Sequence, residues 1–180
     1  MYKHMARNGV FLSFMVLMLF VGCSRSASNG ETTTQPGLEA PTKRIASADV
    51  VKIIVEPVEI TSGGSGEARV RLTIQSGYHV NANPPTFSYL IPTELAITPA
   101  EGLSAGAISY PPPITAKFSF SEKPLAVYEG EVEIRAIVKA GQASKPGQHS
   151  LAAKLSIQAC DDQVCYPPGT RELTIPVVIK

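Results

Sequence analysis

The sequence has no tryptophan and little charge. Its 180 residues contain 17% Asp, Glu, Lys and Arg, and the net charge is +1. That balance leaves no electrostatic footprint for nucleic acid. Methionine is confined to positions 1, 5, 15 and 18. Absent too are a phosphate-binding loop, a dinucleotide fingerprint, a Ser–His–Asp set and an internal repeat. Collagen-like arrays, large enzymes and multi-span membrane proteins are excluded. What is present is 44% apolar residues, too many for a disordered chain, with 15 Pro and 14 Gly. One loop-rich, all-β domain fits that length and composition.

The first 23 residues read as an address. Lys3 and Arg7 precede an apolar run, Val10–Val21, broken only by Ser13. As a helix this run rises about 18 Å, too short for a hydrocarbon core of about 30 Å. The arrangement is that of a secretory signal peptide. Its end, Phe20-Val21-Gly22-Cys23, resembles a bacterial lipobox with Phe where Leu is usual. On that reading Cys23 is lipidated and anchors the protein to a membrane. Ser24 rather than Asp follows, which leans towards the outer membrane. The alternative is an ordinary signal peptide cleaved nearby. Residues 24–47 are Ser, Thr, Gly and Pro with almost nothing apolar, and read as a disordered tether about 25 Å in span.

From residue 48 to 180 the periodicity is two. Val51, Ile53 and Val55 alternate with Lys52 and Glu56; Val70, Leu72 and Ile74 with Arg69, Arg71 and Thr73; Val132, Ile134, Ala136 and Val138 with Glu131, Glu133 and Arg135; Leu151, Ala153, Leu155 and Ile157 with Lys154, Ser156 and Gln158; and Leu173, Ile175, Val177 and Ile179 with Glu172 and Thr174. These are half-buried strands. Weaker strands are expected at Glu94–Thr98 and Lys117–Phe120. Gly- and Pro-rich turns separate them. Seven or so short strands predict an immunoglobulin-like antiparallel β-sandwich without the Cys–Trp–Cys core of antibody domains.

With the signal peptide removed and Cys23 taken by the lipid, two cysteines are left with a thiol, Cys160 and Cys165, in Gln158-Ala-Cys160-Asp-Asp-Gln-Val-Cys165-Tyr-Pro-Pro168. If the strand ends around them face each other, the Cα atoms lie about 4.5–5.5 Å apart and a disulfide can close. Outside the cytoplasm such a bond persists. Closing so short a loop stabilises the fold by only about 2 kcal/mol. Asp161 and Asp162 stand beside Cys160, and no Lys, Arg or His lies between the cysteines. Negative neighbours disfavour a thiolate, so neither thiol is a free nucleophile of the thioredoxin kind. The pair suits attack by another protein's thiolate inside a complex. A structural staple in a non-enzymatic, lipid-anchored scaffold stays open beside this.

The cysteine segment resembles that of the N-terminal periplasmic domain of DsbD, the thiol:disulfide interchange protein. Gly77-Tyr-His79-Val-Asn81 and Tyr128-Glu-Gly-Glu-Val-Glu-Ile134 are similar to two strands of that domain, and the resemblance spans about residues 49–179. It implies an immunoglobulin-like fold whose cysteines cycle between dithiol and disulfide, with no cofactor. It also implies a membrane thiol reductant and thioredoxin-like periplasmic proteins as partners, Cys165 as the site of the mixed disulfide, and an aromatic cap over the pair. The chain reaches Lys180 without the membrane and thioredoxin-like domains of full-length DsbD, so the reductant is expected to be a separate protein.

Phe118 and Phe120 precede the Tyr128 strand and are candidates for the cap, against ordinary core packing. His79 and Asn81 stand where the family has tyrosines, and with Tyr166 are candidate neighbours of the sulfurs. The plain alternative for His79 is a surface residue. One His and two Cys are too few for structural zinc. Two thiols alone suit Cu(I), but the lack of Met after the signal weakens a copper carrier. No metal is therefore expected. Tyr110-Pro-Pro-Pro113 reads as a rigid loop. Asp161 and Asp162 read as solvated loop charges.

Overall fold

A computed structural model describes residues 45–100 and 102–180. The signal peptide, Cys23 and most of the tether lie outside the described residues. Twelve strands follow one 3-10 turn at Ser47–Val50. They are β1 Val51–Val55, β2 Val58–Ile60, β3 Ser65–Ile74, β4 His79–Asn81, β5 Glu94–Ile97 and β6 Leu103–Ser109. Then come β7 Ile114–Ala116, β8 Leu125–Tyr128, β9 Glu131–Ala140, β10 Gly147–Ile157, β11 Ala159–Cys160 and β12 Gly169–Ile179.

Two four-stranded sheets, β1-β3-β9-β6 and β2-β12-β10-β5, form the sandwich. A third, β11-β4-β8-β7, carries the first cysteine. All pairings are antiparallel except β2 with β12. The alternation read from the sequence is the burial pattern. Val70 and Leu72 on β3, Ile134 and Val138 on β9, Leu151 and Leu155 on β10, and Ile175 and Val177 on β12 are fully buried in one core. Apolar burial on this scale, at about 25 cal/mol per Å², is the main force holding the sheets face to face. A separate, smaller cluster joins Leu90, Phe118, Leu125 and Val127, with Phe87 and Ala116 packed against it.

Three details differ from the sequence expectations. Several strands have only two to four residues, too short to show alternation, which is why about seven were expected and twelve are found. The strand expected at Lys117–Phe120 lies at Ile114–Ala116 instead, paired with β8. Residues 117–120 form a loop, across which Lys117 Nζ donates to the carbonyls of Ser121 and Glu122. The packed residues also include some of those that composition gives to the tether. Ile45 packs on the core, and Ser47 is fully buried. Gly169 permits this entry, since a Cβ there would lie 2.9 Å from the Ala48 nitrogen.

Candidate functional site

Cys160 and Cys165 form a disulfide with Cα atoms 3.9 Å apart. This is closer than two facing strand ends would give, because the segment is one tight reversal. The Asp161 amide donates to the Val164 carbonyl at 2.9 Å and the Tyr166 amide to the Ala159 carbonyl at 2.8 Å. Asp161 organises the loop. Its Oδ1 accepts from the amides of Gln163 and Val164 at 2.8 and 2.9 Å, and its Oδ2 accepts from the Tyr166 hydroxyl. The Tyr166 hydrogen bond is the main cause holding the Asp161 carboxyl below its ordinary value. The same bond pushes the Tyr166 phenol up to about 12. Asp161 is thus a built part of the loop rather than a merely solvated charge, a role that adjacency in sequence does not reveal.

The two sulfurs sit in different surroundings. Cys160 has 0% exposure. Cys165 is partly exposed and opens on a groove of about 600 Å³, lined also by Phe87, Tyr89, Leu90, Phe120 and Gln158. Ser47 braces the chain on either side of the pair. Its hydroxyl donates to the Pro167 carbonyl at 2.6 Å and accepts from the Ala159 amide at 2.9 Å.

Phe118 and Phe120 come to this place by different routes. Both belong to the loop 117–124 between β7 and β8. Phe118 is buried and meets the His79 ring edge-on, centroids 5.1 Å apart. Phe120 stacks on Phe118 at 5.2 Å, stays 41% exposed and lines the groove. The Ser119 hydroxyl donates to the Asp162 carbonyl at 2.6 Å, tying this loop to the cysteine loop.

His79 is the strand partner of Cys160. Gly77, at φ 83°, makes the turn that delivers it, a conformation glycine adopts freely. The imidazole is largely buried, with Nε2 3.1 Å from Glu129 Oε2. It is not a plain surface residue. Asn81 is fully buried two positions on, and its role is different. Its Nδ2 donates to the Ile91 carbonyl and to Gln158 Oε1, at 3.1 and 3.0 Å. Gln158 also accepts from the Ile91 amide at 3.0 Å and donates through Nε2 to the Tyr166 carbonyl at 3.3 Å. Asn81 and Gln158 together hold the loop 82–93 beside the cysteine loop. Gln158 and Glu129 went unrecognised from sequence because their partners are distant in the chain. Among the described residues, no three His, Cys, Asp or Glu side chains gather as a metal site.

Residues 52–176 match the family described as thiol:disulfide interchange protein DsbD, N-terminal. No curated protein matches the chain. Among solved structures, the N-terminal periplasmic domain of ScsB from Proteus mirabilis aligns with TM-score 0.52 and 16% identity. That alignment covers 71% of this chain and 46% of the other, so this chain spans under half the length of that relative. The reduced DsbD N-terminal domain of Neisseria meningitidis aligns with TM-score 0.45 and 21% identity, over 73% of this chain and 88% of the other.

Proposed function

This chain belongs to the family of DsbD N-terminal domains, and on that premise we propose that Cys160 and Cys165 relay electrons by thiol–disulfide exchange in the periplasm. A partner thiolate attacks the Cys165 sulfur, the Cys160 sulfur leaves with the electron pair, and a mixed disulfide joins the partner to Cys165. The partner's second thiolate then attacks its own sulfur in that bond and releases Cys165 as the thiolate. The product is a dithiol here and a disulfide in the partner. The reverse sequence reoxidises the domain.

The observation that carries this reading is the asymmetry of the pair. Cys160 is sealed and Cys165 opens on a groove. Attack on a disulfide is in line and needs access to one sulfur only. The surface around that groove is apolar for an exposed one, with Tyr89 at 74%, Phe120 at 41% and Val164 at 48% exposure. Such a patch fits a protein partner rather than a small thiol. Phe118 and Phe120 act as the cap: Phe118 as its buried base and Phe120 as the movable ring over the groove. Thioredoxin-like proteins are the partners on one side and a membrane thiol reductant on the other. A lipid on Cys23, left as the first residue when the signal peptide is cleaved, holds the domain at a membrane, the outer one by the residue after the Cys, with the tether as the spacer.

The test is the reduction potential of the couple in the mature domain, read by alkylation and mass after equilibration in thiol buffers. An exchangeable pair falls at about −200 to −270 mV, whereas a value well below about −300 mV identifies a structural bond and replaces the relay with the scaffold. In parallel, a Cys160→Ser chain is expected to accumulate mixed disulfides through Cys165. Trapping only in the Cys165→Ser chain reverses the assignment of the attacked sulfur.

A further inference from the structure

Two loops line the groove on which Cys165 opens, and they are held differently. Loop 117–124 contributes Phe120 and is bonded largely to itself, through Lys117 to Ser121 and Glu122 and through Ser121 to Lys123. Its Ser119 hydroxyl reaches out to the Asp162 carbonyl. Loop 82–93 contributes Phe87, Tyr89 and Leu90 and is pinned to its neighbours along its length. The Ala82 amide donates to the Ala126 carbonyl at 3.0 Å, and the Asn83 amide to the Tyr128 hydroxyl at 3.1 Å. The Thr86 hydroxyl accepts from the Ala126 amide at 2.6 Å. The Ile91 amide and carbonyl are taken by Gln158 and Asn81. The Thr93 amide and hydroxyl both donate to the Asn81 carbonyl, at 3.1 and 2.7 Å. Between these ties the Leu90 amide donates to the Phe87 carbonyl at 3.1 Å, and both side chains pack in the small apolar cluster.

Tyr89 rides on this pinned loop. At 74% exposure it is the most exposed large apolar side chain among the described residues. Its ring is nonetheless held, stacked on Phe87 with centroids 5.2 Å apart and planes 8° from parallel. A ring already fixed in place loses little freedom when a partner covers it, and such aromatic anchors carry most of the energy of an interface. Whatever covers Tyr89 must also bring a thiolate to Cys165 in the same groove. A second oxidised copy of this chain has none to offer. A small dithiol can reach the sulfur without covering the ring, whereas a folded protein must lie on what stands around the groove. We propose that Tyr89 is the specificity-determining residue of the exchange, the anchor on which a thioredoxin-like protein seats and by which protein dithiols are favoured over small ones. The inference rests on the relay reading above. Phe120 governs whether Cys165 is reached, and Tyr89 governs by whom. Asn81 and Gln158, which hold the Ile91 backbone, keep the anchor beside the sulfur.

The experiment reacts the oxidised full chain with reduced thioredoxin and, separately, with dithiothreitol, and follows Cys160 and Cys165 by alkylation and mass. In both reactions the reductant's dithiol becomes a disulfide and the Cys160–Cys165 bond becomes a dithiol. The quantity read is the ratio of the two second-order rate constants. The parent ratio is expected to be well above one. Tyr89→Ala should lower it about tenfold or more by slowing the thioredoxin reaction, the scale on which loss of an anchor is felt. The loss should lie in the thioredoxin concentration that gives half the limiting rate, since the reacting sulfurs are untouched. Tyr89→Phe keeps the stacked ring and should restore the ratio to within about threefold of the parent. Phe120→Ala also lowers the ratio, but by speeding the dithiothreitol reaction. A parent ratio near one, a ratio unmoved in Tyr89→Ala, or a loss confined to the limiting rate overturns the proposal. So does a dimer of the parent that Tyr89→Ala dissolves, which would give the ring to a second copy. A disulfide that neither reductant opens removes the relay itself. Exchange with both reductants and an unmoved ratio leaves the relay standing and removes only the part given to Tyr89.

Discussion

Among the described residues there are two apolar clusters of similar chemistry and different consequence. The larger one lies between the two four-stranded sheets, and its side chains come from long strands paired along their whole length. The smaller one, Leu90, Phe118, Leu125 and Val127, lies under the loops 82–93 and 117–124. Strand β8 joins them, with Tyr128 in the large cluster and Leu125 and Val127 in the small. The disulfide straddles the same line. Ala159, next to Cys160, belongs to the large core, while Cys165 opens on the groove beside the small one. Few buried contacts under loop-borne backbone make local opening cheap, whereas the sandwich opens only with the whole fold. A guarded disulfide needs both, a fixed sulfur to leave and a cover that moves.

The largest effect should separate the two clusters by stability. Leu155→Ala, in the sandwich, is expected to cost about 3–4 kcal/mol in urea denaturation. It should leave the rate of disulfide reduction by dithiothreitol in the folded protein unchanged. Leu125→Ala should cost less, about 2 kcal/mol, because loops collapse onto a cavity more readily than paired strands do. It should also raise the reduction rate. Equal costs with no change in reactivity would break the comparison. Next in size is the disulfide itself. Reduction should cost about 2 kcal/mol, the chain-entropy value for so short a loop. The circular dichroism of the sheets should survive it.

The large core was legible from sequence and the small one was not. Alternation in β3, β9, β10 and β12 marks the inward positions because each of these strands exceeds nine residues. The cysteine segment was equally plain, since its two ends are neighbours in the chain. Leu90 and Leu125, by contrast, lie 35 residues apart on a loop and a four-residue strand, with no period to read. Phe118 and Phe120 look alike in sequence, and on a strand they would share a face. The loop puts one in the core and the other in the groove. Asn81 stood beside His79 as an equal candidate. Register gives Cys160 to His79 and leaves Asn81 to hold a loop.

Phe120 sharpens the comparison at smaller cost. Being 41% exposed, it adds little to stability. Phe120→Ala should shift the denaturation midpoint by the equivalent of about 0.5 kcal/mol or less. The same change uncovers Cys165, and reduction by dithiothreitol should speed up several-fold. Unchanged kinetics would mean that the ring does not cover the sulfur and that the guard lies in Phe118 or in the loop 82–93.

The smallest expected effect is carried by pH. Asp161 binds its proton more weakly in the folded chain, chiefly through the Tyr166 hydrogen bond. Its contribution is therefore complete above its ordinary value of 3.8 and is lost as pH falls through the lower folded value. Tyr166 has the opposite sign. Its phenol is raised from 10.0 to about 12, so its contribution is complete below 10.0 and is lost as pH climbs through about 12. One hydrogen bond thus predicts two limbs, an acid one and an alkaline one, bounding the range in which the cysteine loop is closed. Asp161→Asn should remove the acid limb and Tyr166→Phe the alkaline one, as read from urea midpoints across pH. Both limbs are shallow because the bond faces solvent. A constant offset between parent and Asp161→Asn, from about pH 2 to pH 7, would show that the carboxylate is not what holds the loop. The reversal would then rest on its backbone bonds and the disulfide alone.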